Sequence, residues 1–301
     1  MRFFVCISLF CFGAAKLPGQ DNLRLIEASF NTSYDEYCAQ DFGIGFTFCS
    51  NRRIEFYRQS IDAEYKPNTN LLYIEGKINA TSEFSGVLNS VENEGPFCFS
   101  ADQKRIYFTG SIVSKRANTT NWLGLFYSDF VDGVWGEKQA LPINSDDGSF
   151  NVAHPCLSPD GKFLVFSSNM QGGLGGNDLY AFEINAKGFS IPYNLGPMVN
   201  SSSDELTPFI ATNNILYFSA DDTEEGDFDI YSAPFDSEVL GAKSRLLEPL
   251  NSEFDDVGFW LNSTNSEGTI SSCRNSHDFD VFLISGYNRA LHSEKADSTQ
   301  R

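Results

Sequence analysis

The sequence lacks a hydrophobic run long enough to cross a membrane, and it has few basic residues. Its one long apolar stretch, residues 3–12, has 10 residues, whereas a membrane-spanning helix needs about 20. Lysine and arginine total 21 against 40 aspartate and glutamate, which gives a formal net charge of −19 at pH 7. Because a chain of this charge repels phosphate backbones and anionic lipid headgroups, we expect no nucleic-acid partner and no membrane insertion.

Signatures of catalysis and of metal binding are also missing. The chain has no G-x-S-x-G motif, which would mark the nucleophile of a hydrolase. Its three histidines, His154, His277 and His292, lie in different segments, whereas a metal site needs several convergent ligands. The sequence therefore assigns no catalytic residue and no cofactor.

Cysteine is sparse, and no two cysteines form a C-x-x-C pair. Beyond the first 15 residues the chain has Cys38, Cys49, Cys98, Cys156 and Cys273. An odd number without metal-ligand spacing indicates neither a disulfide framework nor a zinc site. We interpret these cysteines mainly as small buried apolar residues, and one disulfide bridge remains open as an alternative.

The first 15 residues are typical of a secretory signal. Arg2 supplies a positive charge before the apolar stretch, and the small residues Gly13, Ala14 and Ala15 provide a cleavage site. We therefore expect an exported protein whose mature chain begins near Lys16.

A repeat organises the rest of the chain. An apolar residue followed by Asn-Ser recurs four times, after a looser Asn-Thr copy, at spacings of 58, 55, 56 and 51 residues. The asparagines are Asn31, Asn89, Asn144, Asn200 and Asn251. Within each repeat, short stretches rich in β-branched and aromatic residues alternate with turns, and helical periodicity is nearly absent. We interpret each repeat as four antiparallel strands, which is the blade of a β-propeller.

The repeat length determines the number of blades. The four intervals average 55 residues, which predicts five blades, with six blades as the alternative. The last repeat ends after its third strand, near Ser285, whereas residues 23–30 precede the first repeat as a lone strand. We expect this strand to complete the last blade, because an open ring would leave exposed strand edges. The predicted organisation is a signal peptide at 1–15, a single all-β propeller of five four-stranded blades at 16–286 and a polar tail at 287–301.

One repeat resembles a known family. Segment 155–168 contains the turn Ser158-Pro159-Asp160-Gly161 and continues through a glycine-rich loop to a strand that begins at Asp178. It resembles the WD40-like PD40 repeat of TolB-type propellers, which many exported proteins of the Bacteroidota carry, and the other repeats are degraded versions of it. The resemblance implies a β-propeller in the bacterial cell envelope, either periplasmic or associated with the outer membrane.

Aspartates open the third strand of three repeats. Asp178, Asp229 and Asp280 recur where a loop enters the strand, and a carboxylate there can accept backbone N–H groups and fix the turn. Calcium is the alternative, because D-x-D pairs such as Asp227 with Asp229 present hard oxygen ligands. We interpret these aspartates and the repeated asparagines as structural positions, and no metal is assigned.

Acidic residues also follow the repeated asparagines, in the loops that lead from the outer strand of one blade to the inner strand of the next. We expect these loops to surround one mouth of the central channel. A ring of like charge there would attract a basic partner or a cation, although a repeated acid also serves to cap turns. The predicted mouth residues are Asp35, Glu36, Glu92, Glu94, Asp146, Asp147, His154, Asp204, Glu205, Asp255, Asp256 and Trp260.

The sequence thus predicts a monomeric, non-catalytic binding or scaffold propeller of the cell envelope, whose channel mouth binds a protein partner or a glycan. The alternative is a carbohydrate-active enzyme with carboxylates in the channel, which requires two carboxyl groups about 5–9.5 Å apart. Catalysis breaks symmetry, whereas these acids are spread evenly over the repeats. Binding is therefore the predicted function.

Overall fold

The computed structural model describes residues 23–52, 68–75, 81–114, 121–223, 226–236 and 240–288. The expected signal peptide at 1–15 and residues 289–301 of the expected tail lie outside these ranges. All regular structure within them is β, in 22 strands. The described part of the chain accordingly contains no helix that could span a membrane.

The strands form five antiparallel sheets in chain order. The first sheet contains β2 (Glu36–Phe42), β3 (Gly45–Ser50), β4 (Asn70–Glu75) and β5 (Thr81–Glu83). The second contains β6 (Glu94–Phe99), β7 (Arg105–Ile112), β8 (Trp122–Val131), β9 (Val134–Trp135) and β10 (Gln139–Ala140). The third contains β11 (Val152–Leu157), β12 (Phe163–Ser168), β13 (Asp178–Asn185), β14 (Gly188–Phe189) and β15 (Tyr193–Asn194). The fourth contains β16 (Glu205–Ile210), β17 (Ile215–Ala220), β18 (Asp229–Pro234) and β19 (Ser244–Arg245). The fifth contains β20 (Asp256–Leu261), β21 (Glu267–Ser272), β22 (Asp280–Ser285) and the N-terminal strand β1 (Arg24–Glu27).

These sheets are the five blades of a β-propeller. Their first strands, β2, β6, β11, β16 and β20, contact one another in a closed ring, so they are the innermost strands. The fifth blade is completed by β1, which pairs with β22 from Arg24 opposite Ser285 to Glu27 opposite Phe282. The predicted fold class, the count of five blades and the closure by the N-terminal strand are therefore confirmed.

Every innermost strand contains a β-bulge, where the register with the second strand shifts. At each of these bulges a residue has a positive φ, which is 52° at Cys38, 101° at Gly95, 55° at His154, 44° at Thr207 and 62° at Gly258. A bulge bends its strand and increases the local twist. The bulge residues of neighbouring blades therefore meet along the channel, where they line its narrow part.

The hydrophobic core lies between the blades, in clusters that join each blade to the next. Its largest fully buried side chains include Tyr217, Phe97 and Phe166. Cys98 on β6 and Cys156 on β11 are buried free thiols in these clusters. Packing, rather than a cross-link, is the role that the structure gives to these two residues.

The five repeated asparagines make the same pair of hydrogen bonds in every blade. In each case the side-chain Oδ1 accepts the backbone N–H of one third-strand residue, and Nδ2 donates to the carbonyl of that same residue. The distances run from 2.7 to 3.1 Å. The pairs are Asn31 with Val281, Asn89 with Leu71, Asn144 with Leu125, Asn200 with Leu179 and Asn251 with Ile230.

This pairing predicts a large loss of stability for Asn200→Ala. The substitution leaves the buried N–H of Leu179 unpaired, whereas the Leu179 carbonyl keeps the backbone N–H of Leu195 at 3.0 Å. We therefore expect a cost of about 1–3 kcal/mol in the free energy of unfolding. Urea denaturation measures the loss. The control is Asn185→Ala, because Asn185 is exposed and its side chain accepts one loop N–H, from Lys187. A cost for Asn200→Ala no larger than that of the control would contradict the structural role of the pair.

Candidate functional site: the channel mouth

A second set of side chains fixes the entrance to each innermost strand. The side chain of the residue just before each of the five strands accepts a backbone N–H from the start of the preceding blade's third strand. The distances are 2.5–3.0 Å. The pairs are Asp35 with Phe279, Asn93 with Thr69, Asn151 with Leu123, Asp204 with Asn177 and Asp255 with Phe228. Asparagine and aspartate serve equally here, so this function requires an acceptor oxygen and not a negative charge.

Four of the predicted mouth acids lie inside the blades. Glu36, Glu94, Glu205 and Asp256 open four of the innermost strands, and their side chains have 0% exposure. Each lies beside a basic side chain of its own blade, at 2.6–3.9 Å. The bases are Arg52, Lys138, Lys243 and Arg274, in the same order. The structure therefore places these four carboxylates in the interior rather than against the mouth cavity.

Three more of the predicted acids, Glu92, Asp146 and Asp147, lie at the surface of the blades. Glu92 accepts a hydrogen bond of 3.2 Å from Asn121, and Asp146 is exposed beside a groove on the second blade. Hydrogen bonds from Ser149 and Ser145 lower the pKa of Asp147, which caps its own turn.

The mouth itself is a cavity of about 530 Å³. Of the predicted set, the structure brings Asp35, Asp255 and His154 together in its lining. Three aromatic side chains, Tyr37, Phe228 and Phe279, also line the cavity. Sequence reasoning missed these rings, although Phe228 and Phe279 directly precede two of the repeated aspartates, and that repeated Phe-Asp pair could have revealed them.

His154 occupies the bulge of β11, where it lines both the mouth cavity and the narrow part of the channel. Its backbone N–H donates to Thr109 Oγ1 at 2.9 Å, and its Nδ1 accepts the N–H of Thr207 at 3.3 Å. Burial lowers the pKa of His154 to about 4, so the ring is neutral at pH 7. The proton therefore resides on Nε2, an N–H donor with no hydrogen-bond partner among the residues that the structure describes.

Negative charges surround the Cys273 thiol at the mouth. Burial, followed by the nearby carboxylates of Asp255, Asp35, Asp256 and Asp278, raises the pKa of this thiol to about 12. Cys273 lines the cavity together with the first two of these acids. A cationic group that entered the cavity would be attracted by the same charges.

Below the mouth lies the narrow part of the channel, which we call the waist. Its cavity has a volume of about 20 Å³, which is room for about one water molecule. The lining there comes from the bulges and includes Gln40, Pro96, Thr207 and Trp260. None of the described residues that line this waist is an aspartate or glutamate. A ligand therefore reaches the cavity from the mouth, and the waist offers no carboxylate to it.

The aspartates that open third strands have partners in their own blades. Asp178 accepts the N–H of Leu174 at 2.6 Å and that of Gly175 at 2.9 Å. Asp229 forms a two-bond ion pair with Arg245, at 2.7 and 2.8 Å.

Asp280 accepts a bond of 3.2 Å from Ser276. In the described ranges no group of three or more His, Cys, Asp or Glu side chains is arranged to hold a metal ion. Calcium stays an alternative that the structure does not test.

Comparisons with known proteins bear on the fold alone. No family model and no curated protein matches the chain. Among solved structures, an endo-arabinase from Bacteroides thetaiotaomicron has a TM-score of 0.53 at 14% identity, over 87% of this chain and 97% of that chain. This likeness agrees with the five-bladed propeller.

Two other solved structures are less similar. TolB from Acinetobacter baumannii has a TM-score of 0.41 at 14% identity, over 72% of this chain and 60% of that chain. A puromycin-hydrolyzing peptidase from Mycobacterium tuberculosis has a TM-score of 0.46 at 12% identity, over 90% of this chain. This chain spans 39% of the length of that peptidase. The neighbours thus include TolB, while membership in the PD40 family stays a prediction.

Glu205 differs from the other buried acids because its ion pair is poor. Lys243 Nζ lies 3.9 Å from Glu205 but 2.7 Å from Asp222, and Oε2 of Glu205 is buried without a hydrogen-bond partner among the described residues. Burial raises the pKa of Glu205 from 4.5 to about 7, and the nearby charge of Asp178 adds to the rise.

This pKa predicts a stability that depends on pH. The folded protein holds the proton of Glu205 more tightly than the unfolded chain, so the stabilisation is complete below pH 4.5 and is lost as the pH rises through about 7. Urea denaturation across that range should show the free energy of unfolding falling, and Glu205→Gln should reduce the fall. Glu183→Gln, at an exposed position, is the control. An unchanged slope in the Glu205 variant would disprove the assignment.

Proposed function

We propose that this protein is a non-catalytic binding module of the bacterial cell envelope that holds a basic segment of a partner protein in its channel mouth. The observation that supports it is the cavity of about 530 Å³, in which aromatic rings and carboxylates occur together. The envelope location rests on the signal-like N-terminus and on the resemblance to exported propellers.

The chemistry of the mouth favours a guanidinium or an ammonium group. Asp35 and Asp255 supply negative charge, and a cation gains further from the face of an aromatic ring such as Phe228 or Phe279. The neutral His154 ring can donate its Nε2–H to a carbonyl of the same peptide. A basic residue of a peptide therefore suits this lining, because its side chain pairs with the carboxylates and rings and its backbone carbonyl accepts the Nε2–H of His154.

The mouth carboxylates are already engaged in ways that suit binding better than catalysis. Asp35 accepts the N–H of Phe279 on Oδ1 at 3.0 Å and the amide of Asn51 on Oδ2 at 2.6 Å. Both oxygens thus act as acceptors for groups of the fold, whereas a general acid must direct a proton at the leaving group.

The test removes the negative charges of the mouth and keeps the fold. Asp35→Asn with Asp255→Asn should preserve the N–H acceptor bonds, because Asn93 and Asn151 make the same bonds in other blades. We expect the double variant to bind a short arginine-rich peptide at least about tenfold more weakly, and with a smaller dependence on salt. Fluorescence anisotropy at low and high salt measures both quantities.

Asp204→Asn is the matched control. Asp204 occupies the equivalent position in the fourth blade, where it accepts the N–H of Asn177, and it lies outside the cavity lining. Its variant should bind the peptide as the unmodified protein does. Equal affinity and equal salt dependence in the double variant would remove the mouth from the binding site.

A carbohydrate-active enzyme remains the second candidate, because one carboxyl pair lies in a cleft away from the mouth. Asp41 and Glu267 line this cleft, and burial, followed by the charge of Glu267, raises the pKa of Asp41. The similar endo-arabinase fold makes arabinan a suitable member of a polysaccharide panel. We expect no product release. Release that Asp41→Asn abolishes would replace the binding function with catalysis.

A further inference from the structure

A second cavity lies between the fifth and first blades, at the end of the channel opposite the mouth. β2 runs from Glu36 at the mouth side to Phe42 at the far side, and Asp41 lies near that far end. The cavity has a volume of about 280 Å³. Its lining combines the rings of Trp260 and Phe46 with the carboxylates of Asp41 and Glu267.

Elsewhere this protein fills such a combination with its own basic side chains. Five lysine or arginine side chains lie over an aromatic ring, at 4.7–5.2 Å from its centre, and each also forms an ion pair of 2.6–3.2 Å with a carboxylate. The sets are Arg52 with Phe48 and Glu36, Arg105 with Tyr127 and Asp129, Lys138 with Phe126 and Glu94, Lys243 with Tyr231 and Asp222, and Arg274 with Phe282 and Asp256.

Among the described residues, the cleft has the ring and the carboxylates of these sets but no base. Within the described ranges no lysine or arginine forms an ion pair with Asp41 or Glu267. Glu267 accepts one long hydrogen bond, of 3.3 Å from Asn262, and the Asp41 carboxylate accepts none among those residues. The indole N–H of Trp260 also lacks a partner there.

The charge of Glu267 disfavours that of Asp41. Both residues are exposed to solvent, and partial burial of the Asp41 carboxylate is the main cause that raises its pKa, to which the nearby Glu267 carboxylate adds. A cation placed between them would relieve this repulsion and gain from the adjacent ring. A neutral ligand would leave the repulsion in place.

We propose that the cleft between the fifth and first blades binds a guanidinium or ammonium group that no described residue supplies, between Asp41 and Glu267 and against Trp260. The occupant is a basic side chain or a small organic cation. The site is separate from the channel mouth, because the cavities share no lining residue.

Capped arginine and capped lysine, each acetylated and N-methylamidated, are suitable probes. The indole N–H signals of the three tryptophans are resolved by ¹H–¹⁵N NMR, and Trp260→Phe assigns the one from the cleft. We expect a saturable shift of the Trp260 signal, with arginine binding more tightly than lysine. Asp41→Asn with Glu267→Gln should weaken binding at least about tenfold.

The control is Asp132→Asn with Glu183→Gln, which makes the same change in net charge at two exposed positions of the second and third blades. It should retain the binding, as should the double variant of the mouth. An equal loss of binding in this control would show that the effect comes from net charge alone, and it would overturn the proposed site. Absence of a saturable shift, or binding of a neutral monosaccharide in place of the cations, would also overturn it.

Discussion

The pairing of one asparagine amide with one third-strand residue is the interaction on which the blades depend. In three blades the outer strand is two residues long, as in β10, β15 and β19. The third strand therefore extends past its neighbour, and the N–H group that faces the asparagine would be left without a partner, while the carbonyl of the same residue also accepts a backbone N–H that follows the outer strand. The asparagine side chain reproduces both bonds of a ladder partner from the loop. It thereby satisfies the exposed edge of the third strand where the outer strand stops, and it fixes the loop that leads to the innermost strand of the next blade.

The same loop then decides which acids can act as a site. The repeated residues before the innermost strands have structural partners in every blade, and the mouth cavity differs from blade to blade in the residues that face them. The residue that donates its backbone N–H to the side chain before the innermost strand is Phe228 or Phe279 in two blades. It is Thr69, Leu123 or Asn177 in the other three. The rings thus gather on one side of the channel. The proposed binding site therefore lies where the side chains of the five blades differ, although the backbone repeats around the ring.

The sequence allowed the fold to be predicted, because a period of asparagines and strands is local information. It did not allow the burial of the acids to be predicted. Lys138 follows Glu94 by 44 residues, whereas Arg52 follows Glu36 by 16, so no fixed spacing links an acid to its base. Trp260 lies four residues along β20 from Asp256, about 13 Å for an extended strand. That distance carries it away from the mouth and into the opposite cleft.

The unequal numbers of acids and bases connect the two candidate sites. The chain has 40 acidic and 21 basic residues, and several of the bases are held inside the blades over aromatic rings. Their burial beside carboxylates stabilises the blades but leaves fewer cations for the surface. At the mouth and in the cleft, rings and carboxylates occur together without a base from the described part of the chain between them. An external cation completes there the same arrangement that the protein completes for itself within its blades.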